Sequence, residues 1–140
     1  MSNAQAKPDF SGEWILNRQA CTLSPGADAI RSAIVHIEHK DPAFKYKAEF
    51  SSDTGSRKVE YEMLTDGNEI RSTHDGTTTV SRLHWEYEAL ISSWLVQFSN
   101  GEMNISFQHE LLDGGRRLRA VEKLRGNERH QDNIWVFERP

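Results

Sequence analysis

Cysteine is almost missing from the chain: Cys21 stands alone, so no intrachain disulfide can form. It sits in a polar, loop-like stretch with no His or basic pair beside it, and reads as incidental rather than as a nucleophile. No apolar run approaches the ~20 residues that a membrane-spanning helix needs. No stretch has the periodicity of a helix of ordinary length, and no internal repeat occurs. A Gly-x-Ser-x-Gly elbow, a Walker loop, a Cys-x-x-Cys pair and a His-Glu-x-x-His helix are all absent. Charge of one sign does not accumulate either. The net charge is −4 with the signs mixed along the chain, which leaves no basic face for nucleic acid. The dense basic cluster Arg116-Arg117-Leu118-Arg119 reads as a solvated strand end.

What is present describes a globular chain, with 36% hydrophobic and 27% charged residues over 140 positions. That length suits one domain with a single core. Met1-Ser2-Asn3-Ala4 reads as a cloning remnant, and residues 1–7 as a disordered start before one domain over 8–140. Ala4-Gln5-Ala6 resembles the small-residue end of a secretory cleavage site, so export to the periplasm or exterior is expected, the signal peptide itself being absent.

Turn chemistry is the strongest local signal. Asp66-Gly67, Asp75-Gly76, Asn100-Gly101 and Asp113-Gly114 are dipeptides that accept the positive φ of tight hairpins. Between them the chain alternates with period two. Phe44, Tyr46, Ala48 and Phe50 oppose Lys45, Lys47, Glu49 and Ser51, and Met103, Ile105, Phe107 and His109 oppose Asn104, Ser106, Gln108 and Glu110. Ten strands are predicted, at about 10–17, 31–39, 44–51, 57–65, 69–74, 77–85, 90–99, 103–111, 116–125 and 130–138. The link Arg18 to Ile30 is broken by Ser24-Pro25-Gly26, and Ala27 to Ile30 has room for one helical turn. Short connections after the second strand make neighbours pair as a meander, which twists and closes to remove its edges. The fold class is therefore all-β, a single antiparallel up-and-down barrel of about ten strands. A sandwich is the alternative, and would need longer crossovers.

Phe10-Ser11-Gly12-Glu13-Trp14 resembles the opening of the lipocalin and fatty-acid-binding superfamily, whose Phe-x-Gly-x-Trp strand plugs one barrel end. Trp135-Val136-Phe137-Glu138-Arg139 is similar to its closing strand. His36-Ile37-Glu38-His39-Lys40-Asp41-Pro42 and Thr65-Asp66-Gly67 resemble small exported bacterial lipocalin-like proteins. The resemblance implies a lumen for a small hydrophobic ligand. It has three departures. The 13-residue link Arg18 to Ile30 is too short for a helix-turn-helix lid. Trp135 and Phe137 occupy positions where fatty-acid binders offer Arg and Tyr to a carboxylate. The further glycines of the haem-binding nitrobindins are missing.

Six histidines raise the question of a metal. His36 and His39, three apart on a strand, face opposite ways and cannot share an ion. His36 and Glu38 share a face, the solvent one. No metal, haem or other cofactor is expected. Glu122 is in phase with Leu118, Ala120 and Leu124, so its carboxylate points inward and requires a partner from a neighbouring strand. Small polar residues also punctuate the apolar faces: Ser72 and His74 follow Ile70, Ser81 precedes Leu83, and Ser92 lies between Leu90 and Trp94. Such residues leave space and hydrogen-bonding groups for a ligand. The expected lumen residues are Tyr46, Tyr61, Ser72, Ser81, Trp94, Phe107 and His109. The leading expectation is a monomer or weak homodimer that binds or carries a small apolar or amphipathic molecule without chemistry. An enzyme using His109 or His74 with Glu122, or a filled barrel that binds proteins through its surface, are the alternatives.

Overall fold

A computed structural model of the chain describes residues 7–140; the remnant and cleavage-site expectations at Met1 to Ala6 lie outside them. The strands are β1 (Gly12–Leu16), β2 (Ile30–Lys40), β3 (Ala43–Ser52), β4 (Gly55–Leu64) and β5 (Ile70–His74). They continue with β6 (Thr77–Glu86), β7 (Ala89–Phe98), β8 (Gly101–Leu112), β9 (Arg117–Arg125) and β10 (His130–Glu138). All ten form one antiparallel sheet in the order β4-β3-β2-β1-β10-β9-β8-β7-β6-β5. Every neighbour in sequence pairs, apart from β4 and β5, and β1 joins β10 through Leu16 opposite Phe137. The sheet curls until β4 and β6 touch, leaving a seam between β4 and β5. The isolated bridge from Asp66 to His84 spans the seam at one end.

The dipeptide turns divide into two kinds. Asp75-Gly76 is a two-residue hairpin with φ of 51° and 78°, the twist that matches the flanking strands. Asp113 (φ 54°) and Gly114 (φ 67°) open the four-residue loop between β8 and β9. The other two correct the hairpin expectation. Asn100-Gly101 is not the turn: Phe98 pairs with Gly101, so Ser99 and Asn100 form it and the glycine opens β8. Its missing side chain leaves room for Asn127, whose amide donates to the Asn100 carbonyl at 3.3 Å. Asp66-Gly67 joins no hairpin, because β4 and β5 part at the seam, and the Gly67 N–H donates instead to Leu83 O at 2.9 Å. The link after β1 holds two 3₁₀ turns, Arg18–Ala20 and Ala27–Ala29; the second falls where one helical turn was expected.

Burial is graded along the barrel axis. At the end where β1 begins, Phe10, Trp14, Phe44, Leu83, Leu90, Leu118 and Phe137 fill the interior and are all 2% exposed or less. Each such side chain contributes about 1.5–3 kcal/mol by leaving water. Trp14 anchors this plug: its Nε1 donates to Phe10 O at 2.9 Å, and the Arg139 guanidinium lies 4.1 Å from its ring centroid. Toward the opposite end the inward side chains Tyr46, Phe50, Val59, Tyr61, Trp94, Ile105, Phe107, Glu122 and Leu124 keep accessible surface. The barrel is a cup, filled at one end and only partly buried at the other.

Candidate ligand-binding lumen

Period-two alternation and the strand register bring the inward residues into rows. One row crosses five strands as Leu83, Ser92, Phe107, Glu122 and Asn133. The row below it, nearer the plug, carries Leu90, His109, Ala120 and Trp135. From the other wall Tyr46 and Tyr61, directly paired on β3 and β4, stack at 4.9 Å between centroids. Their rings reach across the cup. Tyr61 meets Trp94 of β7 edge-on at 5.2 Å, and Tyr46 meets His109 of β8 at 6.2 Å. His109 in turn stacks on Phe107 at 6.2 Å. Phe50 and Trp135 form a further edge-on pair at 5.5 Å.

Five of the expected lumen residues, Tyr46, Tyr61, Trp94, Phe107 and His109, thus join one aromatic cluster. Ser81 is buried opposite Trp94 in the β6–β7 ladder. Ser72 departs from expectation. It keeps the inward register, opposite Thr79, but is exposed because β5 is the sheet edge and no strand covers it. His74 is likewise exposed at the rim, 3.2 Å from Asp75, and belongs to no enclosed site.

The polar groups inside are few and specific. Burial pushes the His109 imidazole down to about 4, so the ring is neutral at neutral pH. Burial also raises both phenols well above their usual range, and the facing Glu122 charge adds to the effect on Tyr46. Both tyrosines therefore stay protonated, able to donate. Glu122 has the neighbouring-strand partners it requires: Asn133 Nδ2 at 3.1 Å and Trp135 Nε1 at 2.9 Å, both donating to Oε1. Ser92 Oγ and His109 Nδ1 are buried without a hydrogen-bond partner among the described residues. Ser92 faces the Tyr61 hydroxyl without closing a bond of good geometry.

A second polar cluster lies at the closed end and was not expected as a unit. His39 Nδ1 accepts from the Phe10 N–H at 3.2 Å, which leaves its Nε2–H to donate to Asp41 Oδ1 at 3.1 Å. The same oxygen accepts from Thr65 Oγ1 at 2.8 Å and Trp85 Nε1 at 3.1 Å. Burial alone would raise the Asp41 carboxyl; the donors from His39, Thr65 and Trp85 outweigh it and hold the group below its ordinary value. This cluster ties β1, β2, β4 and β6 together around the plug. With His39 buried and both its ring nitrogens engaged, it is structural. His36 is on the exposed face with Glu38, opposite to His39, as the spacing requires. Two surface concavities, of about 510 and 430 Å³, lie around Tyr87 and around Asn17, and neither shares a residue with the aromatic cluster.

A ten-stranded antiparallel meander with a plugged end and a seam between its fourth and fifth strands has the all-β barrel fold that the sequence pattern implies. Solved structures of that shape match the chain over nearly its whole length. A point mutant of the fluorescent protein UnaG is 18% identical, with 94% of this chain and 96% of that one covered at a TM-score of 0.56. Secretory abundant heat soluble protein 4 from Ramazzottius varieornatus is 14% identical over 98% and 99%, with a TM-score of 0.58. Human cRBP IV is 14% identical over 95% and 99%, with a TM-score of 0.54. At these identities the likeness is one of fold. No family model matches the chain, and no curated protein sequence matches it.

Proposed function

We propose that the barrel binds a small hydrophobic or amphipathic molecule in its open half and does not transform it. The observation that carries this reading is the graded burial. Tyr46, Tyr61, Trp94 and Phe107 inside the barrel are half-buried, above a plug whose side chains are 2% exposed or less. A core that existed for stability alone would bury these rings as fully as Phe10 and Trp14 are buried. Apolar contact would come from Tyr46, Tyr61, Trp94 and Phe107, and orientation from the few polar groups between them. Because Tyr61 and Trp94 meet across the cup, a ligand must stack on these rings or part them. The fold supports the reading, since solved barrels of this shape include a cellular retinol-binding protein. A monomeric or weakly dimeric, exported protein completes the proposal; fractionation of the native host checks the second part.

Titration with Nile red, a neutral solvatochromic dye, tests it. We expect saturable binding at one site per chain, weakened at least fivefold by Trp94→Ala in a variant that still unfolds cooperatively. Absence of saturation, or an affinity indifferent to Trp94, would sink the proposal.

A further inference from the structure

We propose that the lumen selects an amphipathic amine over an amphipathic anion, and that Glu122 is the residue that reads the charge. This deepens the lumen-binding reading and rests on it. Among the described residues, Glu122 is the one carboxylate in the inward rows of β2 to β4 and β6 to β10. The cation in inward register, Arg57, stands exposed at the mouth of β4, away from the plug. The interior is therefore acidic.

The carboxylate is held for use rather than neutralised. Asn133 and Trp135 both donate to Oε1, and no cation pairs with the group among the described residues. Its outward-facing neighbours Arg119 and Lys123 are on the other side of β9, and Arg119 is engaged by Glu110 at 2.9 Å. Oε2 accepts from no described residue. Glu122 is only half-buried, so this oxygen is open to a donor that enters the barrel.

Two further observations place unfilled polar groups on the same wall. Ser92 Oγ, in the same row as Glu122, and His109 Nδ1, in the row below, are unpartnered although their residues are only 1% and 3% exposed. A primary ammonium carries three donors and no acceptor, and so suits a carboxylate oxygen that accepts from no described residue. Tyr46, Trp94 and Phe107 supply aromatic faces, whose negative quadrupoles attract a desolvated cation. An anionic head group would meet the Glu122 charge with no cation deep in the cup to offset it. The apolar tail of the amine would lie along Phe50, Ile105 and Leu124.

The test uses three dansyl probes on one alkyl chain, ending in a primary amine, an amide and a carboxylate, titrated into the full chain at pH 7. The amine is expected to bind at least tenfold tighter than the carboxylate. Glu122→Gln, whose side-chain oxygen still accepts from Asn133 and Trp135, should cut that ratio at least fivefold. A carboxylate that binds as well as the amine overturns the proposal, as does a ratio that survives Glu122→Gln. Should that variant not fold, the unmodified protein in 0.5 M NaCl decides: a carboxylate inside the lumen keeps the preference, and a general effect of the negative surface loses it. Saturable amide binding, weakened by Trp94→Ala, with no charge preference would leave the lumen reading standing and this one refuted. If none of the three probes saturates, both fall.

Discussion

Truncating Trp14 to Ala removes the centre of the plug, and its cost can be worked from the contacts. The side chain is 0% exposed, and a buried Trp takes about 150–250 Å² out of water. At about 25 cal/mol per Å² that is roughly 4–6 kcal/mol, an upper figure because the unfolded chain already hides part of it. Buried aromatic truncations give about 3–5 kcal/mol. The indole also donates to Phe10 O at 2.9 Å, and truncation leaves that buried carbonyl unpartnered. The Arg139 contact adds about 0.5–1 kcal/mol, since part of that guanidinium is in solvent. A loss of about 4 kcal/mol with a urea slope of about 2 kcal/mol/M moves the midpoint down by about 2 M. Far-UV circular dichroism reads the transition without relying on the deleted fluorophore. Trp14→Phe, which keeps an aromatic ring and loses the donor, should shift it by about half as much. A midpoint that moves by less than about 0.5 M in Trp14→Ala would mean that the plug does not carry the fold.

Gly114 has φ of 67° with nothing near an added Cβ, so Gly114→Val should cost about 1–2 kcal/mol through backbone strain alone, and Gly114→Asn much less. Equal urea midpoints for the two variants would refute the strain argument. His109 gives a pH dependence of known sign. Its folded value of about 4 lies below the unfolded 6.5, so the unfolded chain binds the proton first as pH falls. Stability present above pH 6.5 should therefore drain away between pH 6.5 and 4, by at most about 3 kcal/mol. His109→Phe should flatten that slope in urea midpoints taken at pH 7, 6, 5 and 4; an unchanged slope would place the sensitivity elsewhere.

The architecture was legible because its signals are local. Alternation over eight or more residues defines a half-buried strand without knowledge of its partner, and short turns leave a meander as the simplest pairing. All ten strands lie within a few residues of where the alternation places them. Errors occur where one local signal serves two structures. Asn100-Gly101 has the composition of a hairpin turn, yet the glycine is needed for the approach of Asn127 from the β9–β10 loop, a contact 26 residues downstream. Asp66-Gly67 has it too, but whether the flanking strands pair is decided by how far the whole sheet curls. Ser72 fails for the same reason: its phase is right, and its exposure is set by the seam.

The interior chemistry was legible only in part, because it depends on register. Phase shows that Glu122 faces inward, but Asn133 and Trp135 reach its Oε1 only because Glu122 pairs opposite Asn133, and a one-residue slip would turn that set outward. The knot of His39, Asp41, Thr65 and Trp85 was hidden similarly, since Trp85 is 44 residues from the carboxylate it caps. Register also gives meaning to one departure from the barrels that the sequence resembles. Trp135 occupies a position where fatty-acid binders offer a cation or a phenol to a ligand carboxylate. Here that residue donates to a carboxylate belonging to the protein.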